Sequence, residues 1–81
     1  MYSTIAYKAT SGPVLIKSGL DMTNAKFAAD VFYSGIKEFF QKDLTKSGIA
    51  VMIVDDSDFE SLKNDPPKPI DKRIISQYGF Y

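Results

Sequence analysis

The apolar run from Ile49 to Val54 is hydrophobic at every position and ends in Asp55. Successive side chains of a strand point to opposite faces of a sheet, so this run predicts a strand that is buried on both sides. One face carries Ile49, Val51 and Ile53, and the other carries Ala50, Met52 and Val54. A helix is only about 10 Å wide, so a single helix covers part of one face of a small sheet. We therefore expect the second face to stay uncovered and to bind a partner.

Two shorter alternating patterns come earlier in the chain. Thr4 to Ala9 and Val14 to Ser18 each alternate, and the turn formers Ser11, Gly12 and Pro13 separate them. Pro13 lacks a ladder donor, which fits the start of a strand or an edge strand. The segment from Thr4 to Ser18 is predicted to be a β-hairpin.

A long amphipathic helix is predicted next. Apolar residues recur at intervals of three and four, namely Ala25, Ala28, Ala29, Phe32, Ile36, Phe39 and Phe40, with Phe27 and Val31 widening the stripe. Asp21, Thr23 or Asn24 is suited to cap the amino end of this helix. We expect the whole stripe, including Phe39 and Phe40, to pack on the sheet.

The segment after the central strand predicts a short helix and an extended connection. Ser57 and Glu60 have the spacing of a capping box, which predicts a helix from Asp58 to about Asn64. Pro66, Pro67 and Pro69 then favour an extended chain. The last residues allow a helix, with Ile70, Ile74 and Tyr78 at intervals of four, or a strand. The β-branched and aromatic content of residues 73–81 favours a strand.

These elements predict the fold class α+β, as one domain over residues 1–81 in the order ββαβ, with a short helix and a C-terminal strand or helix. The chain has no histidine and no cysteine, so the usual general base, a thiolate nucleophile and the commonest metal ligand are missing. No apolar segment approaches the roughly 18 residues of a membrane span. We expect a cytoplasmic protein that is not an enzyme and needs no cofactor or metal.

The acidic residues after the central strand offer one alternative. Asp55, Asp56 and Asp58 follow a buried strand, where carboxylates often hold magnesium for phosphoryl transfer or nuclease chemistry. Acidic residues at the start of a helix are also favoured by capping and by the helix dipole, and we prefer this explanation. The string from Val51 to Asp56 also looks like the acidic strand end of a receiver domain, but the rest of the chain is too short for that fold.

Nucleic-acid binding is the second alternative. Tyr7 and Tyr78 beside lysines and arginine on one sheet face would form a stacking surface, the basic residues being Lys8, Lys17, Lys72 and Arg73. Ten basic residues balance ten acidic ones, however, and clustered cations usually drive such binding.

The function that we expect is protein binding without catalysis. The chain would act as a small inhibitor or modulator of a larger host enzyme or complex, and its size suits a phage or mobile-element regulator. A homodimer is a further expectation, because a second copy could cover the open sheet face. The candidate interface residues are Ala50, Met52, Val54, Tyr7, Tyr78 and Phe80.

Overall fold

The computed structural model describes residues 1–40 and 48–79 and has an α+β fold, as the sequence predicts. Its elements are β1 (Tyr2–Lys8), β2 (Gly12–Leu20), α1 (Met22–Phe40), β3 (Ile49–Asp55), a 3₁₀ turn (Asp56–Asp58), α2 (Phe59–Asn64) and β4 (Ile74–Gly79). The four strands form one antiparallel sheet in the order β2-β1-β3-β4.

The central position of β3 explains its composition. β3 pairs with β1 on one side and with β4 on the other, so its backbone is bonded along both edges. Residues 50–54 are almost completely inaccessible to solvent. The predicted strand buried on both faces is confirmed, and so is the predicted strand in the C-terminal segment.

Helix α1 covers one face of the sheet. Leu20, Ala25, Ala29, Val51 and Ile53 form the buried cluster there. The small side chains of Ala25 and Ala29 allow a close approach, and the buried Thr4 hydroxyl donates a hydrogen bond of 2.9 Å to the Ala25 carbonyl. Asp21, one of the three predicted candidates, caps the helix, because its carboxylate accepts a hydrogen bond of 2.8 Å from the Asn24 amide.

The opposite face is also covered, which corrects the expectation of an open sheet. Leu62 of α2 is buried against β1 and β3, in a cluster that contains Ile5, Tyr7, Ala50, Met52 and Val54. Phe59 and Ile74 pack around this cluster. A short helix suffices because its one buried side chain, Leu62, contacts the cluster formed by both central strands.

A capping residue also differs from the predicted one. Ser57 does not begin a capping box, because its amide and hydroxyl both donate to the Asp55 carboxylate, at 3.0 and 2.8 Å. Asp55 caps the 3₁₀ turn instead, and α2 begins only at Phe59.

Candidate functional site

The six residues predicted to form an interface do not share one accessible surface. Ala50, Met52 and Val54 are fully buried beneath α2, and Tyr7 is only 4% exposed on the same face. Tyr78 lies on the other face, half-buried under α1, with its ring 5.9 Å from that of Tyr33. Phe80 is outside the described residues. These side chains therefore belong mainly to the core.

The same placement separates the two tyrosines of the nucleic-acid hypothesis. Tyr7 and Tyr78 lie on opposite faces of the sheet, so they cannot stack neighbouring bases. Burial under α1, together with the nearby Asp30 carboxylate, raises the pKa of Tyr78. Arg73 is engaged within the fold, because its guanidinium donates to Asp71, Ser61 and the Pro66 carbonyl. Lys8, Lys17 and Lys72 are exposed.

The acidic residues after β3 have structural partners. The amide and hydroxyl of Ser57 hold the pKa of Asp55 below its ordinary value. Asp56 accepts hydrogen bonds from the Ser3 hydroxyl and, at 3.2 Å, from the Gly19 amide, so it connects β1 and β2 to the 3₁₀ turn. Within residues 1–40 and 48–79, no three acidic side chains are placed to hold a metal ion together.

An exposed apolar surface is present where sequence reasoning predicted core. Phe27, Val31 and Phe39 are 68%, 57% and 81% exposed. They lie at intervals of four residues along α1, with Gly35 completing the series, and we call these four residues the α1 stripe. The prediction that Phe27, Val31 and Phe39 pack on the sheet is wrong. Each helical residue turns by about 100°, so Phe27 and Val31 point about 200° and 120° away from the buried Ala25, whereas Phe39 lies near the carboxyl end of the helix.

A shallow apolar groove runs beside the α1 stripe, and we call it the α1 groove. One part, of about 370 Å³, is lined by Val31, Phe32, Gly35, Ile36 and Phe39. The adjoining part, of about 300 Å³, is also lined by Phe32 and Ile36 and continues to Ala6 and Val14 of the β1–β2 hairpin and to Ile49 at the start of β3. Val14 is itself more than half exposed. The groove therefore joins the outer side of α1 to the hairpin.

Gly35 forms the floor of this groove. A Cβ built on Gly35 would contact no atom within 4 Å, so the packing of the described fold does not require a glycine here. Glycine inside a helix is less stable than alanine by roughly 0.5–1 kcal/mol. Phe32, Gly35, Ile36 and Phe39 have the spacing i, i+3, i+4 and i+7, which forms the hole of knobs-into-holes packing. The local geometry suits an apolar side chain from another helix.

Comparisons of the chain with protein-family models, with curated proteins and with solved structures found no match.

Within the described ranges, no helix is both long enough and apolar enough to span a membrane.

Proposed function

We propose that this chain is a non-catalytic protein-binding module, a small inhibitor or modulator of a larger enzyme or complex, and that the α1 stripe with its groove is the contact surface. The observation that carries the proposal is the joint exposure of Phe27, Val31 and Phe39 beside an apolar groove. Contiguous exposed apolar surface of this kind usually marks an interaction site.

The size of this surface fits an interface. An aromatic side chain has about 200 Å² of surface, so Phe27 and Phe39 together expose roughly 300 Å². Val31 and Val14 raise the exposed apolar area to roughly 450 Å². A standard interface buries about 800 Å² on each partner, of which about 57% is apolar, so it needs a similar apolar area.

The edges of the sheet are less suited to binding. Edge strands are commonly protected by proline, by lysine and by bulges. β2 carries Pro13 and Lys17 and has register shifts against β1, and β4 has a register shift against β3 near Ile74. These features disfavour the addition of a partner strand, which leaves the outer side of α1 as the preferred surface.

The absence of histidine and cysteine from the sequence supports binding without catalysis. Asp55 and Asp56 are carboxylates of the magnesium alternative. Both accept hydrogen bonds that stabilise the turn after β3. The nucleic-acid alternative gains no support, because Tyr7 is buried and lies on the opposite face from Tyr78.

The experiment is an affinity capture from a host lysate with matched variants. The wild type should retain a specific protein, and the double variant Phe27→Ser, Val31→Ser should lose it. Ile70→Ser is the control, because Ile70 is a highly exposed apolar residue outside the α1 stripe. Equal retention by the double variant and the wild type would reject this surface as the binding site. The activity of the captured enzyme should then be measured with and without this chain.

A further inference from the structure

We propose that the α1 stripe also binds a second copy of this chain, with the two α1 helices packed antiparallel across a two-fold axis next to Val31. This inference rests on the proposed function, because it assigns an occupant to the same surface. The contact would join Phe27 of each copy to the Gly35 notch of the other.

The α1 stripe is complementary to itself in this arrangement. A protruding aromatic ring at Phe27 and a notch without a side chain at Gly35 lie eight residues apart, on either side of Val31. An antiparallel two-fold centred on Val31 places Phe27 opposite Gly35 twice and places the two Val31 side chains against each other. Large residues facing small ones give interdigitated packing.

A parallel arrangement is less favourable. It would place Phe27 against Phe27 and Gly35 against Gly35, which leaves the notch of each copy empty. Unfilled space of this kind loses dispersion contacts. The antiparallel arrangement is therefore the one that fills the α1 groove.

The polar residues beside the stripe agree with the same register. Glu38 of one copy lies opposite Asn24 of the other, where the amide of asparagine is able to donate a hydrogen bond to the carboxylate. Both residues are exposed. No charged residue of α1 faces a like charge in this register, because Lys26, Asp30 and Lys37 point about 100° or more away from Val31 around the helix.

The area also fits a second copy. Phe27, Val31 and Phe39 expose roughly 380 Å² of apolar surface on each copy, which is close to, but below, the apolar area of a standard interface. We expect modest affinity, so that a larger partner with better complementarity displaces the second copy. Self-association and partner binding then compete for the same residues.

Cysteine cross-linking tests the geometry directly, because the sequence contains no cysteine. Val31→Cys should form a disulfide-linked dimer under mild oxidation, since a disulfide requires Cα atoms closer than about 7 Å. Lys37→Cys is the matched control, an exposed position on another side of the same helix, and should stay monomeric. A mixture of Phe27→Cys and Gly35→Cys should cross-link more than either variant alone. Equal cross-linking of Val31→Cys and Lys37→Cys would overturn the proposal.

Sedimentation equilibrium gives the second readout. The wild type should associate reversibly, and Phe27→Ser should raise the dissociation constant about tenfold or more while leaving the melting temperature nearly unchanged. A wild type that stays monomeric at millimolar concentration would overturn the inference. If the wild type is monomeric but partner capture still depends on Phe27 and Val31, the proposed function stands without the dimer. If the wild type dimerises but partner capture does not depend on Phe27 and Val31, only the proposed function is rejected.

Discussion

Arg73 holds the loop between α2 and β4 in place. Its Nε and Nη2 atoms donate to the two carboxylate oxygens of Asp71 at 3.0 and 2.6 Å, while Nη1 donates to Ser61 at 2.8 Å. Such a two-point pair is stronger than a neutral hydrogen bond and fixes the direction of both side chains. Arg73 also donates to the Pro66 carbonyl, so the proline segment is connected to α2 through Arg73 and Ser61.

Asp71→Asn should lower the free energy of unfolding by about 1.5–3 kcal/mol at neutral pH, because it removes the charged acceptor of these hydrogen bonds. Asp65→Asn is the control: the Asp65 side chain is 56% exposed and lies 3.7 Å from Arg73, so the loss should stay below about 1 kcal/mol. Urea denaturation of both variants measures the difference. Equal losses of unfolding free energy in the two variants would show that the two-point pair contributes no more than the exposed contact of Asp65.

The pH dependence of this contribution follows from the same contact. The Arg73 guanidinium holds the pKa of the Asp71 carboxyl well below its usual range. A carboxyl with a depressed pKa in the folded state stabilises the fold above its unfolded-state pKa, about 3.9, and loses that contribution as the pH falls through the folded-state value. The advantage of wild type over Asp71→Asn should therefore be constant near neutral pH and shrink below about pH 4.

Gly79 is a position where both backbone and space require glycine. Its φ is +83°, and an added Cβ would lie 3.0 Å from the Ile49 carbonyl oxygen and 3.1 Å from Cε1 of Tyr33. Gly12 has a similar φ of +75° but has no atom near its Cβ position. Gly12→Ala should cost about 1–2 kcal/mol from backbone strain alone, and Gly79→Ala should cost more. Thermal unfolding compares the two, and an equal cost would exclude a steric contribution at Gly79.

At the scale of the elements, α2 decides whether the second sheet face is closed. Leu62 is the one buried residue of this six-residue helix. Leu62→Ala should destabilise the protein by about 2–5 kcal/mol, because it leaves a cavity over β1 and β3. Phe27→Ala, which removes a larger but exposed side chain, should change the unfolding free energy by about 0.5 kcal/mol or less. If chemical denaturation shows that Phe27→Ala is more destabilising than Leu62→Ala, the assignment of Leu62 to the core and Phe27 to the surface is wrong.

Gly35 gives the corresponding prediction for α1. Gly35→Ala should stabilise the fold by roughly 0.5–1 kcal/mol, because alanine is the better helix former and its Cβ meets no atom. The gain should exceed that of Ser34→Ala, the exposed neighbouring position. Denaturation curves measure stability, and sedimentation should show that Gly35→Ala weakens self-association. A destabilised Gly35→Ala would mean that the notch serves the fold itself.

The position of α1 could be predicted from residue spacing, and its cap could be narrowed to three residues that include Asp21, whereas the exposure of its apolar residues on the outer side could not be predicted. Phe27, Val31 and Phe39 resemble core residues in type and spacing, and interfaces use the same residue types as cores. The short helix α2 is predicted and confirmed, but its role in covering the sheet could not be predicted, because six residues are too few to show an apolar face by their periodicity. Leu62 carries the packing, and a single leucine does not distinguish a buried position from an exposed one.

At the scale of the whole molecule, the charge distribution argues against binding to nucleic acid. Ten basic residues are balanced by ten acidic ones, and Arg73 is already paired with Asp71. We expect no binding tighter than micromolar to labelled single-stranded or double-stranded DNA or RNA at physiological ionic strength. Fluorescence anisotropy checks this expectation. Micromolar binding that both added salt and Lys72→Glu weaken would restore the alternative.

The strand order also determines when the protein is able to fold during synthesis. β1 lies between β2 and β3, and Tyr2 pairs with Asp55, so the centre of the sheet joins the first residues of the chain to residues far along it. A ribosome that has released only β1, β2 and α1 has not yet supplied the strand on which α1 packs through Val51 and Ile53. The early chain must keep these apolar surfaces from aggregating until β3 emerges, because pairing between distant strands is slow and leaves edges exposed. The sheet and the packing of α1 on it are therefore completed only after β3 has left the ribosome.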